Sequence, residues 1–357
     1  MPTLFDPLRV GEIELDNRIV MAPMTRSRAD DAGLQPAYVA EYYRQRASAG
    51  LIITEATNVS PMARGYVRTP GIYTPEQAES WRPVGEAVHA RGGKVFMQIF
   101  HTGRIALPDF LPRGELPVAP SAVRAKGQNY TDEGMKEFVT PREITAGEIR
   151  QTVRDFAAAA SNAVDAGFDG VELHAASGYL VQQFLSTNVN LRADEYGGSI
   201  ENRARFLFEV LDAMIEAVGA SRVGVKFSPR IAFNDIEETD AEELYAYVLE
   251  KLNGRGLAYV HVGDFTGEGW HARLRHVYEG VYFAGAGLTK EAGEELLARG
   301  LADAAVFGTK FISNPDLPER FRRGAPLSEP DQTTFYTPGE RGYTDYPALE
   351  QLTQATA

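Results

Sequence analysis

A single (β/α)8 barrel of the α/β class, the TIM-barrel architecture, is what this sequence predicts, on three observations. Short apolar runs rich in Val, Ile and Ala recur eight times; longer amphipathic segments lie between most of them; no low-complexity linker divides the 357 residues. Alternating strand and helix patterns build parallel sheets, and eight such units in a chain of this size close into a barrel. A doubly wound open sheet is the alternative that the same pattern allows.

In order, the runs read as strands are "RIVMAPMT" (18–25), "LIITEA" (51–56), "KVFMQIF" (94–100), "GVELHA" (170–175), "RVGVKFSP" (222–229), "AYVHVG" (258–263), "VYFAGA" (281–286) and "AAVFGT" (304–309). Helical stretches are expected at 145–166, 200–218, 240–253 and 289–299, so residues 1–357 form one domain. Residues 102–143 are polar, rich in Pro and Gly, and too long for a simple connection; they predict an excursion after the third strand that serves as a lid or substrate loop.

Composition narrows the function. With 44% hydrophobic residues the chain can bury a large core, and 49 acidic against 36 basic residues give a net charge of -13 with no basic block. A nucleic-acid partner and a polybasic membrane anchor are therefore not expected, whereas a small-molecule substrate is. No apolar run reaches the roughly 18 residues of a spanning helix, and the first ten residues lack a signal-peptide pattern, which predicts a cytoplasmic protein. The absence of cysteine removes disulfides, thiolate nucleophiles and thiolate metal sites, so redox chemistry would have to come from an organic cofactor. His89, His271 and His276 show no metal-ligand spacing, and no metal site is expected.

In such barrels the active site lies at the C-terminal ends of the strands. Those ends carry Thr25, Ala56, Gln98, His174, Lys226, Gly263, the Gly285–Ala286–Gly287 turn and Gly308. The glycines in "AGAGLT" and "VFGT" stand where barrels often bind phosphate through backbone N–H groups; tight strand-to-helix turns would also need them.

Six motifs then carry a resemblance over nearly the whole chain: "NRIVMAPMTRSRA", "ITEATNVSPMARGY", "QIFHTGR", "ELHAASGYLVQQFLSTNVNLRADEYGGSIENRARF", "NPDLPERF" and "GYTDYP". The sequence resembles the Old Yellow Enzyme family of FMN-dependent ene-reductases, in the branch with Thr at position 25. The resemblance implies an eight-stranded barrel whose bottom is closed by a hairpin, here residues 8–15. It also implies FMN as cofactor, NADPH or NADH as reductant, an enone-like substrate, and a monomer or homodimer.

Residue by residue, the resemblance places Pro23, Met24 and Thr25 along the isoalloxazine, Ala56 beside it through its backbone, and Gln98 at the pyrimidine ring. Lys226 falls near flavin N1 and O2, while Gly285, Ala286, Gly308 and Thr309 fall at the phosphate. His174 and Ser177 would clamp the carbonyl or nitro oxygen of an activated alkene as hydride arrives. Tyr179 would deliver the proton to the α-carbon, a task suited to a phenol that stays protonated at neutral pH. Tyr66, Phe100 and Tyr336 are implied as pocket aromatics, with Tyr336 over the flavin face.

Four positions depart from the family pattern. Ser177 stands where Asn or His is usual, Lys226 and Thr309 replace Arg, and Phe100 replaces Trp. Lysine keeps the charge but loses the planar fork of arginine. Two further readings therefore stand beside the reductase: a relative that uses His174 and Tyr179 for acid catalysis without hydride, as an isomerase or cyclase, and a binder of FMN or a phenol without turnover. Residues 192–203 are expected to be a structural loop whose charges pair among themselves, with Ser199 as a helix N-cap, and His101 and Arg104 are expected to pack rather than catalyse.

Overall fold

The computed structural model describes residues 1–351. Its strands in chain order are β1 Leu8–Val10, β2 Ile13–Leu15, β3 Ile19–Met21, β4 Leu51–Ile53, β5 Thr57–Asn58, β6 Val95–Phe100, β7 Val118–Ala119, β8 Gln128–Thr131, β9 Gly134–Glu137, β10 Arg142–Glu143, β11 Gly170–His174, β12 Val223–Phe227, β13 Tyr259–Gly263, β14 Tyr282–Gly285 and β15 Ala304–Phe307. Its α-helices are α1 Tyr38–Gln45, α2 Pro75–His89, α3 Ala146–Asp165, α4 Leu180–Leu185, α5 Ile200–Val218, α6 Ala241–Leu252, α7 Trp270–Leu274, α8 Lys290–Ala298, α9 Thr309–Ser313 and α10 Leu317–Arg323.

Strands β3, β4, β6, β11, β12, β13, β14 and β15 pair in parallel in that order, and β15 pairs back onto β3. The sheet has no open edge, which removes the doubly wound alternative. Each expected strand is present, shorter than its apolar run because the last residues of most runs leave the ladder to form the upper face. Strand β5 continues the line of β4 beside β6 after a break at Thr54–Ala56.

Local sequence explains the helix starts. The Thr74 hydroxyl accepts from the Gln77 amide at α2 and the Thr145 hydroxyl from the Glu148 amide at α3, each with the reciprocal side-chain bond of a capping box. Ser199 caps α5 by accepting from the Asn202 amide, as expected. Helix α3 then turns Ile149, Phe156, Ala159, Ala160 and Ala163 into the buried layer between helices and sheet.

Inside the barrel the pleat sends alternate residues inward. At the N-terminal end these are Val20, Leu51, Ile53, Phe96, Tyr259, Phe283, Ala304 and Val306, packed against Val10 and Leu15 of the β1–β2 hairpin. The hairpin thus closes the bottom. Gly11 makes its turn at φ 55°, and a Cβ there would lie 2.1 Å from the Ser221 carbonyl oxygen. Gly224 leaves the space that the Tyr259 ring fills, 2.4 Å from where its Cβ would be.

The 102–143 excursion contains the β8–β9 hairpin and β7, which pairs with β10. Its Asn129 amide donates to the Gly65 carbonyl at 2.6 Å. Arg104 is fully buried and donates to the carbonyls of Val123, Asn234 and Asp235, so it packs as expected. Arg192 pairs with Asp194 within the 192–203 loop, but Arg203 departs from expectation: it reaches outward to the Leu185 carbonyl and to Asp240, because it lies on the buried face of α5. Among the described residues no helix is long and apolar enough to cross a membrane.

Candidate active site

A cavity of about 790 Å³ opens at the C-terminal ends of the strands. Its wall brings together Pro23, Thr25, Ala56, Tyr66, Gln98, His174, Ser177, Tyr179, Lys226 and Tyr336. A narrower cavity of about 240 Å³ adjoins it, sharing Pro23, Lys226 and Phe265 and lined beyond them by Met24, Ala286, Gly287, Leu288, Gly308, Thr309 and Lys310. Two residues of the expected set stand behind these walls instead. Phe100 is fully buried, stacked on the His174 ring at 6.1 Å and edge-on to Tyr179 at 5.3 Å, so it orients both. Gly285 faces His261, whose Nε2 would lie 2.9 Å from a Cβ placed there.

The motif "HAASGY" turns out of β11 into α4. Ser177 and Gly178 both take positive φ, 57° and 76°, so the chain reverses sharply and brings Tyr179 back over His174, ring centroids 4.9 Å apart at 88°. For serine this left-handed backbone carries strain. It is held by the Ser177 N–H donating to Ser228 Oγ at 2.8 Å and by the Asn234 amide donating to the Ser177 carbonyl at 2.8 Å. The Ser177 hydroxyl has no protein partner among the described residues and lines the cavity.

The His174 tautomer follows from its neighbours. Its Nδ1 accepts the Ala176 N–H at 3.3 Å, which leaves the ring proton on Nε2. Burial, with the Lys226 charge adding to it, pushes its pKa well below the ordinary histidine value. His174 is therefore a neutral N–H donor rather than an imidazolium. The Tyr179 hydroxyl lies 3.1 Å from that of Tyr66. Burial, then Tyr66, push the Tyr179 pKa well above 10, and burial pushes that of Tyr66 up to about 12, with Asn234 opposing the rise at both.

The residues fit FMN. A wide cavity that narrows into a channel matches a tricyclic ring carrying a ribityl phosphate. Along the narrow part, among the described residues, the N–H groups of Gly287, Leu288 and Gly308 have no backbone acceptor and Lys310 makes no salt bridge, and Ala286 takes φ 85°. This is the donor set an anion requires. In the wide part, buried Lys226 has no side-chain hydrogen bond or salt bridge among the described residues, although burial lowers its pKa and only the Glu172 charge opposes that shift. Thr309 is exposed at the channel mouth and cannot replace an arginine, but Lys310 beside it supplies positive charge.

Tyr336 stands at the rim, 60% exposed, on a C-terminal strap. Arg28 holds that strap by donating to the carbonyls of Thr334, Phe335, Gly339 and Arg341, and Arg26 donates to Phe335 and Gly342. Sequence reading missed the loop residues Asn129, Tyr130, Phe233 and Phe265 of the wall, for which no local pattern exists. It also missed Glu172 and His261 beneath the cavity. The alternation of inward positions in "GVELH" and "YVHVG" does mark those two.

Comparison with known proteins agrees with this geometry. The model of the NADH:flavin oxidoreductase / NADH oxidase family matches residues 3–328. The chain is 47% identical over 355 residues to a Leishmania infantum protein named "Probable flavin mononucleotide-dependent alkene reductase", covering 97% of each. It is 44% identical to 12-oxophytodienoate reductase 1 of Oryza sativa subsp. japonica, covering 98% of this chain and 94% of that one. Morphinone reductase in complex with tetrahydroNAD superposes with a TM-score of 0.94 at 46% identity over 98% of each chain. The old yellow enzyme homologue from Zymomonas mobilis gives 0.94 at 39% identity, covering 98% of this chain and all of that one. With the closed barrel, its two joined cavities and these relatives together, the chain belongs to the Old Yellow Enzyme family of NADH:flavin oxidoreductases.

Proposed function

We propose that the protein is an FMN-dependent ene-reductase that uses NAD(P)H to reduce the activated C=C bond of α,β-unsaturated carbonyl or nitro compounds. The observation that carries the reading is one cavity in which a neutral N–H donor, His174, and a phenol held in its protonated form, Tyr179, face the same space beside a channel fit for a phosphate. When bound, FMN would supply two-electron chemistry, accepting hydride from NAD(P)H and passing it to the β-carbon of the alkene.

The chain's own groups do the rest. His174 Nε2–H and the Ser177 hydroxyl donate to the substrate oxygen and stabilise the charge that collects there. A neutral imidazole suits this role, since it keeps its proton while polarising the bond. Tyr179 Oη gives its proton to the α-carbon, and the Tyr66 hydroxyl at 3.1 Å donates to the resulting phenolate until solvent restores the proton. One hydride and one proton saturate the double bond. Phe100 locks the His174 and Tyr179 rings from behind, Lys226 would help hold the cofactor with its positive charge, and the 102–143 excursion covers one side of the mouth through Asn129 and Tyr130.

No observation favours the acid catalyst without hydride or the binder without turnover. The test is spectral. Protein mixed with FMN and desalted should retain flavin absorbance, lose it on anaerobic NADPH or NADH, and regain it on cyclohexenone. A protein that keeps no FMN, or whose flavin absorbance does not return with the alkene, overturns the reading.

A further inference from the structure

We propose that Glu172 is a positioning residue for the cofactor: it fixes which way the Gln98 amide faces and supplies the counter-charge to Lys226. This rests on the reductase reading above and goes below it, to the layer under the cavity.

Glu172 is the middle residue of β11, fully buried, and points into the barrel two residues before His174. Its Oε1 accepts from Gln98 Nε2 at 2.7 Å, and its Oε2 lies 3.0 Å from His261 Nδ1. The groups facing it from the neighbouring strands are Gln98 of β6, Lys226 of β12, and His261 and Tyr259 of β13. The Tyr259 hydroxyl feels its charge without closing a well-formed hydrogen bond to it. Burying a carboxylate this deeply is costly unless each of its oxygens is satisfied, and apolar side chains fill the layer just below.

An amide can turn either end toward a cavity. A carboxylate accepts only, so Glu172 holds the Gln98 nitrogen toward itself and leaves the Gln98 Oε1, which has no partner among the described residues, to the cavity wall. Gln98 then offers a carbonyl acceptor and its second N–H side by side, the complement of a cyclic imide edge such as the flavin pyrimidine. His261 is kept neutral mainly by burial, donates from Nδ1, and has room only because position 285 is glycine. Glu172 pairs in register with Gly224 of β12, and Lys226 follows two residues on along the same inward face, so Glu172 is the anion that bears on Lys226.

The experiment measures the midpoint potential and the dissociation constant of bound FMN in Glu172→Gln, Lys226→Met and the double variant. Glu172→Gln leaves Lys226 uncompensated and the Gln98 amide free to turn, so the potential should rise and FMN should bind about tenfold more weakly. Lys226→Met should lower the potential, and the double variant should return toward wild type, a reversal of sign that packing damage does not produce. If Glu172→Gln alone does not fold, the double variant must still lie above Lys226→Met. An unmoved potential in Glu172→Gln, or a double variant level with Lys226→Met, overturns the assignment. Wild-type protein that keeps no FMN would overturn the reductase reading and this assignment with it, whereas wild-type binding with unmoved variants overturns this assignment alone.

Discussion

The two ends of the barrel are built from the same strands and follow opposite rules. At the N-terminal end, Phe96 of β6, Tyr259 of β13 and Phe283 of β14 face inward onto Val10 and Leu15 of the hairpin, and the space is filled. Two residues further along, the same inward direction carries Gln98, His261 and Gly285, and on β11 and β12 it carries Glu172 and Lys226. Above that layer the backbone itself is strained at Ser177 and Ala286, with φ of 57° and 85°. The lower end is given over to packing and the upper end to polar groups that face the cavity, so damage at each end should be read by a different instrument: stability below, chemistry above.

The sharpest separation comes from Tyr179→Phe. It should slow alkene reduction by about 10²- to 10⁴-fold, the usual span for a lost general acid, while flavin reduction by NAD(P)H stays near normal. Stopped-flow measurement of the two half-reactions checks this, and equal loss in both would remove Tyr179 as proton donor. His174→Ala should cost about 10²- to 10³-fold in the alkene half-reaction. Because its pKa lies well below the ordinary value, the wild-type rate should show no histidine break near pH 6.5.

Leu15→Ala at the lower end should destabilise by about 2–5 kcal/mol through a buried cavity, lowering Tm with kcat of the folded protein unchanged. A change in kcat there would break the comparison. His101, buried beside the upper end with its pKa lowered to about 3 by burial, gives a pH signature. Its stabilising contribution is whole above the unfolded-state pKa of about 6.5 and is lost as pH falls toward the folded value, roughly 3 kcal/mol by pH 4. Thermal melts from pH 7 to 4 should fall less steeply in His101→Asn. The smallest effect is expected from Lys310→Ala, an approximately tenfold weaker FMN dissociation constant that salt partly masks.

The barrel was legible because each strand is a short apolar run and the long segments between them are amphipathic, four of the helices opening on a Thr or Ser cap. Thr74, Thr145, Ser199 and Thr289 all cap as their side chains dictate. Closure of the sheet was not legible, since an open doubly wound sheet has the same local pattern. The site was legible wherever a motif lies on one strand end, as for Thr25, Gln98, His174 and Tyr179. It was illegible where loops distant in sequence converge, as for Asn129, Phe233 and Phe265, and where a residue faces inward below the mouth, as Phe100 does.

What the sequence by itself determined is the period of the chain: which residues alternate inward, which segments coil, and which side chains end each strand. Backbone sterics and local hydrogen bonds act over a few residues, so those features are written locally. The protonation of His174 and Tyr179, the turn of the Gln98 amide against Glu172 and the union of two cavities were decided only by tertiary structure. Burial, desolvation and charge at a few ångströms depend on strands far apart in sequence coming to lie side by side.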